Sequence, residues 1–125
     1  MSITEAYVSV DGAGNHDGTT EEDAYTWGEM ITAINGGAAA GFRYNVKSGT
    51  YSLSAHTTIT GDGTAPLPAC IRGYKTALGD LDSQRRTNGN GLLILTDFPV
   101  IAYASSYFFN CSGAQYYFVE NLKFT

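Results

Sequence analysis

Apolar and polar residues alternate from Ala6 to Val10, and again from Tyr44 to Lys47. Strict alternation over so few positions predicts half-buried strands, because successive side chains of a strand point to opposite faces. The second run lies in the stretch Arg43 to Leu53, RYNVKSGTYSL. There Ser48-Gly49 reads as a turn, and Tyr51-Ser52-Leu53 starts another apolar run. Between these strands the period changes. Trp27, Met30, Ile31 and Ile34 recur at i, i+3, i+4 and i+7, which predicts one helix over Trp27 to Asn35 with a single apolar stripe. Thr26 is placed as its N-cap, Glu29 stands at the capping-box position, and Gly36-Gly37 supplies the stop. Ala38 to Gly41 is a linker of small residues. One helix with so wide a stripe is expected to lid an apolar β core.

Beyond Tyr44 the pattern predicts only strands and turns. The strands are Thr57 to Thr60, Ala69 to Tyr74, Leu92 to Leu95, Val100 to Tyr103, Tyr107 to Cys111 and Tyr116 to Thr125. Lys75 to Asn90 is a polar connection longer than usual, and Asp97-Phe98-Pro99 is a turn. Taken as strand centres, Val46, Ile71, Ile94 and Val119 lie 25, 23 and 25 positions apart. A period in the twenties suits a coil with three short strands and three turns in each rung. An antiparallel sandwich would also use many short strands. Few hairpin signals favour it, since Asn88-Gly89 falls in the polar connection rather than between alternating runs.

Composition agrees with a β-rich packed domain. The 125 residues suffice for one domain, with 43% hydrophobic, 13% aromatic and 15% charged residues, 15 glycines and 9 tyrosines. Seven basic against twelve acidic residues give a net charge of -5. Nucleic acid is therefore not expected as a partner, Arg85-Arg86 being the sole basic pair. No run reaches the length of a membrane span, so no membrane partner is expected. The opening MSITEAYVSVDG has neither a basic n-region nor an apolar h-region, so no Sec-type secretion signal is read there. Cys70 and Cys111 are expected as two buried thiols rather than a disulfide.

Candidate chemistry is sparse. The loop Asp11 to Thr20, DGAGNHDGTT, carries Asp11, Asn15 and Asp17, whose oxygens make a weak calcium site. A glutamate at the twelfth position of an EF-hand loop is missing, so a plain turn-rich loop is preferred, and no metal or other cofactor is assigned. His16 has no second His or Cys nearby to share an ion. Asp62, Asp80, Asp82 and Asp97 are the carboxylates open to pairing, with Arg72, Lys75 and Arg85 as possible bases. Only Asp80 and Asp82 are close in sequence, and they lie in a loop that does not promise the rigid separation a glycosidase pair needs. No catalytic residue is assigned, and whether the chain is an enzyme stays open. Tyr103, Tyr107, Phe108, Phe109, Tyr116, Tyr117 and Phe118 crowd the last quarter. They read first as core and interface aromatics and second as a sugar-stacking face.

The pieces YVSVDGAGNHDGTT, TWGEMITAI, YNVKSGTY, GTAPLPACIRGYKTALGD and YYFVENLKF together resemble the N-terminal end of right-handed parallel β-helix proteins of the pectate-lyase-like superfamily. The resemblance implies an all-β fold, a right-handed parallel β-helix with three-strand rungs and one N-terminal capping α-helix. Residues 1–42 would be the opening strand, Gly/Asp loop and cap, and 43–125 the first rungs. It also implies that catalytic residues stand on middle rungs, beyond the cap. The last strand has no polar cap, so the coil is expected to continue past Thr125 or to dock on a partner. Three functions follow as expectations. The first is a structural virion protein (a phage appendage, tail-spike or capsid-decorating fibre), partnered by other virion proteins or by itself as a homotrimer. The second is an extracellular polysaccharide lyase or glycoside hydrolase whose active rungs lie downstream. The third is a non-catalytic carbohydrate-binding or adhesin module. Surface polysaccharide is a possible ligand of each, and fold alone does not choose among them.

Overall fold

A computed structural model describes residues 3–81, 98–103, 109–110 and 114–125. Strand β1 (Thr4–Val8) is followed by the Gly-rich loop, a 3-10 turn (Glu21–Asp23) and helix α1 (Trp27–Asn35). Strands β2 (Phe42–Lys47), β3 (Thr50–Ser52), β4 (Thr57–Thr58), β5 (Ala69–Tyr74), β6 (Val100–Ala102), β7 (Phe109–Asn110), β8 (Tyr117–Glu120) and β9 (Lys123–Phe124) complete the described chain. They form three sheets, ordered β1-β2-β5-β8, β3-β6-β9 and β4-β7, and each described pairing within them is parallel. The chain therefore visits the sheets in turn: β2, β3, β4, then β5, β6, β7, then β8 and β9. Parallel neighbours demand such crossovers, because a hairpin can join only antiparallel strands. The sandwich alternative is excluded by this pairing.

Helix α1 forms as its sequence dictates. The Thr26 hydroxyl accepts from the Glu29 N–H at 3.2 Å, and the Glu29 carboxylate accepts from the Thr26 N–H at 2.8 Å. Trp27, Met30 and Ile34 are buried, while Ile31 is only half-buried beside them. They join one cluster with Ala6, Val8, Tyr44, Val46, Tyr51, Ile59 and Ile71, so a single core spans segments 1–42 and 43–125. Burying Met30 and Ile34 contributes about 1.5–3 kcal/mol each. Two polar ties fix the helix on the sheets. Trp27 Nε1 donates to Thr57 Oγ1 at 2.8 Å, and the Asn35 side chain donates to the Thr58 carbonyl and accepts from the Thr60 N–H.

The register differs from the one expected of equal spacing. Tyr44 opposes Ile71, and Ile71 opposes Val119, separations of 27 and 48 positions. Val46 opposes Gly73 instead of Ile71. A shift of two residues leaves the inward and outward faces unchanged, so matching apolar centres cannot detect it. Strand β5 pairs directly with β8 in this sheet, so the interval between Ile71 and Val119 is a single passage through the three sheets. The expected strand Leu92 to Leu95, with Ile94, lies outside the described residues, as does most of the polar connection. Two further boundaries move. The first strand begins at Thr4, with Val10 left exposed, and the last run divides into β8 and β9 at Asn121, whose φ of 58° turns the corner. The equivalent corner between β2 and β3 uses Gly49 at φ 148°, where an added Cβ would meet the Val10 side chain at 2.6 Å.

Candidate functional site on the outer face of the four-stranded sheet

Alternation sends Ala6, Tyr44 and Ile71 inward, which leaves their neighbours facing out. Parallel register then stacks two outward ladders. One runs Glu5, Arg43, Cys70, Phe118 and the other Tyr7, Asn45, Arg72, Glu120. Arg43 Nε donates to Glu5 Oε2 at 3.1 Å, and its Nη2 pairs with Oε1 of the same carboxylate. Asn45 Nδ2 donates to Glu5 Oε2 at 2.6 Å and to the Ala6 carbonyl at 3.1 Å. Arg72 Nη2 reaches Asn45 Oδ1 at 3.4 Å, and Cys70 Sγ lies 3.8 Å from Glu120 Oε1. Three formal charges from three strands, Glu5, Arg43 and Arg72, thus form one hydrogen-bonded set around Asn45, which is fully buried beneath them, and the Cys70–Glu120 contact lies beside it.

The electrostatics follow from this packing. Burial pushes the Glu5 carboxyl up, but hydrogen bonds from Arg43 and Asn45 and the Arg43 charge outweigh it and hold Glu5 below its ordinary value. Burial, then the Glu120 charge, pushes the Cys70 thiol up to about 11. At neutral pH that thiol is protonated and is a poor nucleophile. Beside the ladders runs a groove of about 210 Å³ walled by Ile3, Phe42, Leu67 and Phe118, with Arg43 and Glu120 on its polar side. The face can hold a polar ligand by hydrogen bonds at the Arg and Glu groups while an apolar surface lies against Phe118.

The residues picked out from sequence fall elsewhere. Asp11, Asn15 and Asp17 all lie on the loop after β1. Asp17 Oδ1 accepts from the Thr19 N–H and hydroxyl, and the Asn15 N–H donates to Asp23. Among the described residues no three His, Cys, Asp or Glu side chains converge as metal ligands. His16 instead contacts Glu29, with Nδ1 2.9 Å from Oε1. Asp80 accepts from the N–H groups of Lys75, Thr76 and Ala77 and so caps a turn, whereas Asp62 accepts from the N–H of Gln115 and ties its loop to a segment distant in sequence. Asp82, Asp97 and Arg85 lie outside the described residues. Of the aromatics, Tyr117 is half-buried against the core with its hydroxyl donating to the Gly61 carbonyl, whereas Tyr116 and Phe118 are exposed. Tyr107 and Phe108 are not described. Of the two proposed bases among the described residues, Arg72 joins the ladders and Lys75 does not. Glu5, Arg43, Asn45 and Glu120 were not singled out, although alternation around Tyr44 already turns Arg43 and Asn45 outward. Their grouping needs the register between strands, which no local pattern carries.

No protein-family model matches this chain, and no curated protein matches it. Among solved structures it is similar to one titled as the crystal structure of pectate lyase Pel9A, with a TM-score of 0.61 at 12% sequence identity. The match covers 98% of this chain and 28% of that one, so this chain spans about a quarter of its neighbour's length. The likeness concerns fold: a mostly β chain of parallel sheets, similar to part of a pectate-lyase structure, with one helix among its described residues.

Proposed function

We propose that these residues form the capped first turns of a right-handed parallel β-helix, and that their role is structural, as the base of a virion appendage or fibre. The observation that carries this reading is the repeated passage through three parallel sheets above a helix that seals the first layer. Right-handedness follows from the strong rule for crossovers between parallel strands. A structural role suits the Glu5 end of the outward ladders, where Glu5 and Arg43 pair with each other and Asn45 also donates to Glu5. Val119 and Phe124, in register over buried Ile71 and Ile101, stand open to a further layer of the same coil. Self-association as a homotrimer and contact with other virion proteins are part of the proposal.

A second reading, the base of an enzyme acting on extracellular polysaccharide, is favoured by the neighbour's title and by exposed Phe118 beside the groove. One pair of experiments separates the two. Antibody raised to this chain should decorate purified virions in electron micrographs, and the chain should leave the viscosity of acidic polysaccharides unchanged. Loss of viscosity without virion labelling would replace the first reading with the second.

A further inference from the structure

Three Asp-Gly steps occur in the described residues: Asp11-Gly12, Asp17-Gly18 and Asp62-Gly63. Such a step can rearrange chemically. The glycine nitrogen attacks the aspartate Cγ, a carboxyl oxygen leaves as water with the amide proton, and a five-membered imide forms. Water then reopens the ring at either carbonyl, giving aspartate or isoaspartate with no net change in mass and no oxidant or reductant. Since the residue after the aspartate is glycine each time, differences among the three arise from how the fold holds nitrogen and carboxylate.

Two of the steps are held at both reacting groups. Asp17 Oδ1 accepts from Thr19 Oγ1 at 2.6 Å and from the Thr19 N–H at 2.9 Å, while the Gly18 N–H donates to the Asp23 carbonyl at 2.8 Å. Asp62 Oδ1 accepts from the Gln115 N–H at 3.0 Å, and the Gly63 N–H donates to the Gln115 carbonyl at 3.0 Å. Asp11-Gly12 is different. Among the described residues no hydrogen bond reaches the exposed Asp11 carboxylate, and the Gly12 N–H makes only a 3.4 Å contact to the Ser9 carbonyl. Asp11 also borders an open groove with Thr26 and Thr50, which gives water access. We propose that Asp11 is a site of spontaneous isoaspartate formation, singled out from the other two Asp-Gly steps by the absence of these restraints.

The modification has a structural consequence. Isoaspartate adds a methylene to the backbone where Gly12, at φ 70°, is packed so closely that an added Cβ would lie 2.4 Å from the His16 ring. His16 in turn contacts Glu29 of the α1 capping box, so the change is made beside the cap.

The test is to age the folded chain at near-neutral pH and physiological temperature, then locate isoaspartate by electron-transfer fragmentation of its peptides. Isoaspartate should accumulate at position 11 about tenfold or more faster than at 17 and 62, since three hydrogen bonds hold the reacting groups at 17 and two at 62. In denaturant the three rates should converge. Asp11→Glu should abolish the early product and leave the slow ones unchanged. Equal rates in the folded chain, a lead for Asp17 or Asp62, or an unconverged order in denaturant would overturn the proposal.

Discussion

Val119 and Ile71 occupy the same inward position on neighbouring strands, yet Ile71 is fully buried and Val119 is 43% exposed. Phe124 and Ile101 repeat the contrast, at 37% and 0%. At the opposite end of the stack the inward residues Val8 and Val46 are both buried, because α1 lays Trp27, Met30 and Ile34 over them. The strand edge is closed there too: Tyr25 bridges Val8, the Tyr7 N–H donates to Gly18 and the Ser9 N–H to Tyr25. In a stacked coil, then, register decides which way a side chain points. The neighbouring layer decides whether it is buried.

Mutations at equivalent positions should expose this difference. The largest effect is expected at the cap, where Ile34→Asp places an unpaired charge in a fully buried site and costs several kcal/mol or prevents folding. Ile31→Asp should cost less, because half-buried Ile31 borders a groove through which a carboxylate reaches water. Thermal or urea unfolding checks the order, and equal losses would show that α1 does not present Ile34 to the core. Next comes the matched pair on one register line. Ile71→Ala should cost about 2–5 kcal/mol, whereas Val119→Ala should stay within about 0.5 kcal/mol. Comparable losses would mean that Val119 is covered as fully as its partner.

Smaller effects test the polar ties. Thr26→Ala removes the N-cap acceptor and should cost about 1 kcal/mol. A smaller change again is expected from Glu5→Gln on the outer ladder, and its sign depends on pH. Because Glu5 is held below its ordinary value of 4.5, its charged form adds stability above that value, and the gain fades as pH falls through the lowered value. The melting-temperature gap between the wild type and Glu5→Gln should therefore be open at neutral pH and close in acid. A gap independent of pH would contradict the Arg43 and Asn45 contacts. Solvent screening keeps this contribution modest, since the Glu5–Arg43 pair is partly exposed.

How much of this was legible beforehand depends on the range of the signal. The capping box at Thr26 and Glu29, the stripe of Trp27, Met30 and Ile34, and the inward Tyr44 and Val46 are local patterns, and each was readable. Parallel stacking was readable from the family resemblance and, roughly, from the first interval of the repeat. The two intervals through Ile94 are not rungs, since Ile71 meets Val119 directly, and the register was not readable. Val46 and Ile71 looked equivalent, although Tyr44 is the residue opposite Ile71. The outer ladders depend on that register, so Glu5, Arg43, Asn45, Arg72 and Glu120 could not be grouped from their separate strands. The Asp62 contact with Gln115 joins distant segments and was hidden for the same reason, whereas turn-capping by Asp80 was hidden because an aspartate in a loop looks alike whether it serves catalysis or its own backbone.

The account turns on the parallel register of β2 and β5, and cysteine cross-linking reads it directly. Strands in a sheet lie about 4.8 Å apart, within the Cα separations a disulfide spans. In a Cys111→Ser background, Arg43→Cys should form an intramolecular disulfide with Cys70 on mild oxidation, because residues 43 and 70 are register partners. Asn45→Cys should form little. Equal spacing of Val46 and Ile71 would instead set position 45 beside Cys70, so preferential linkage from Asn45→Cys, or none from Arg43→Cys, would contradict the architecture.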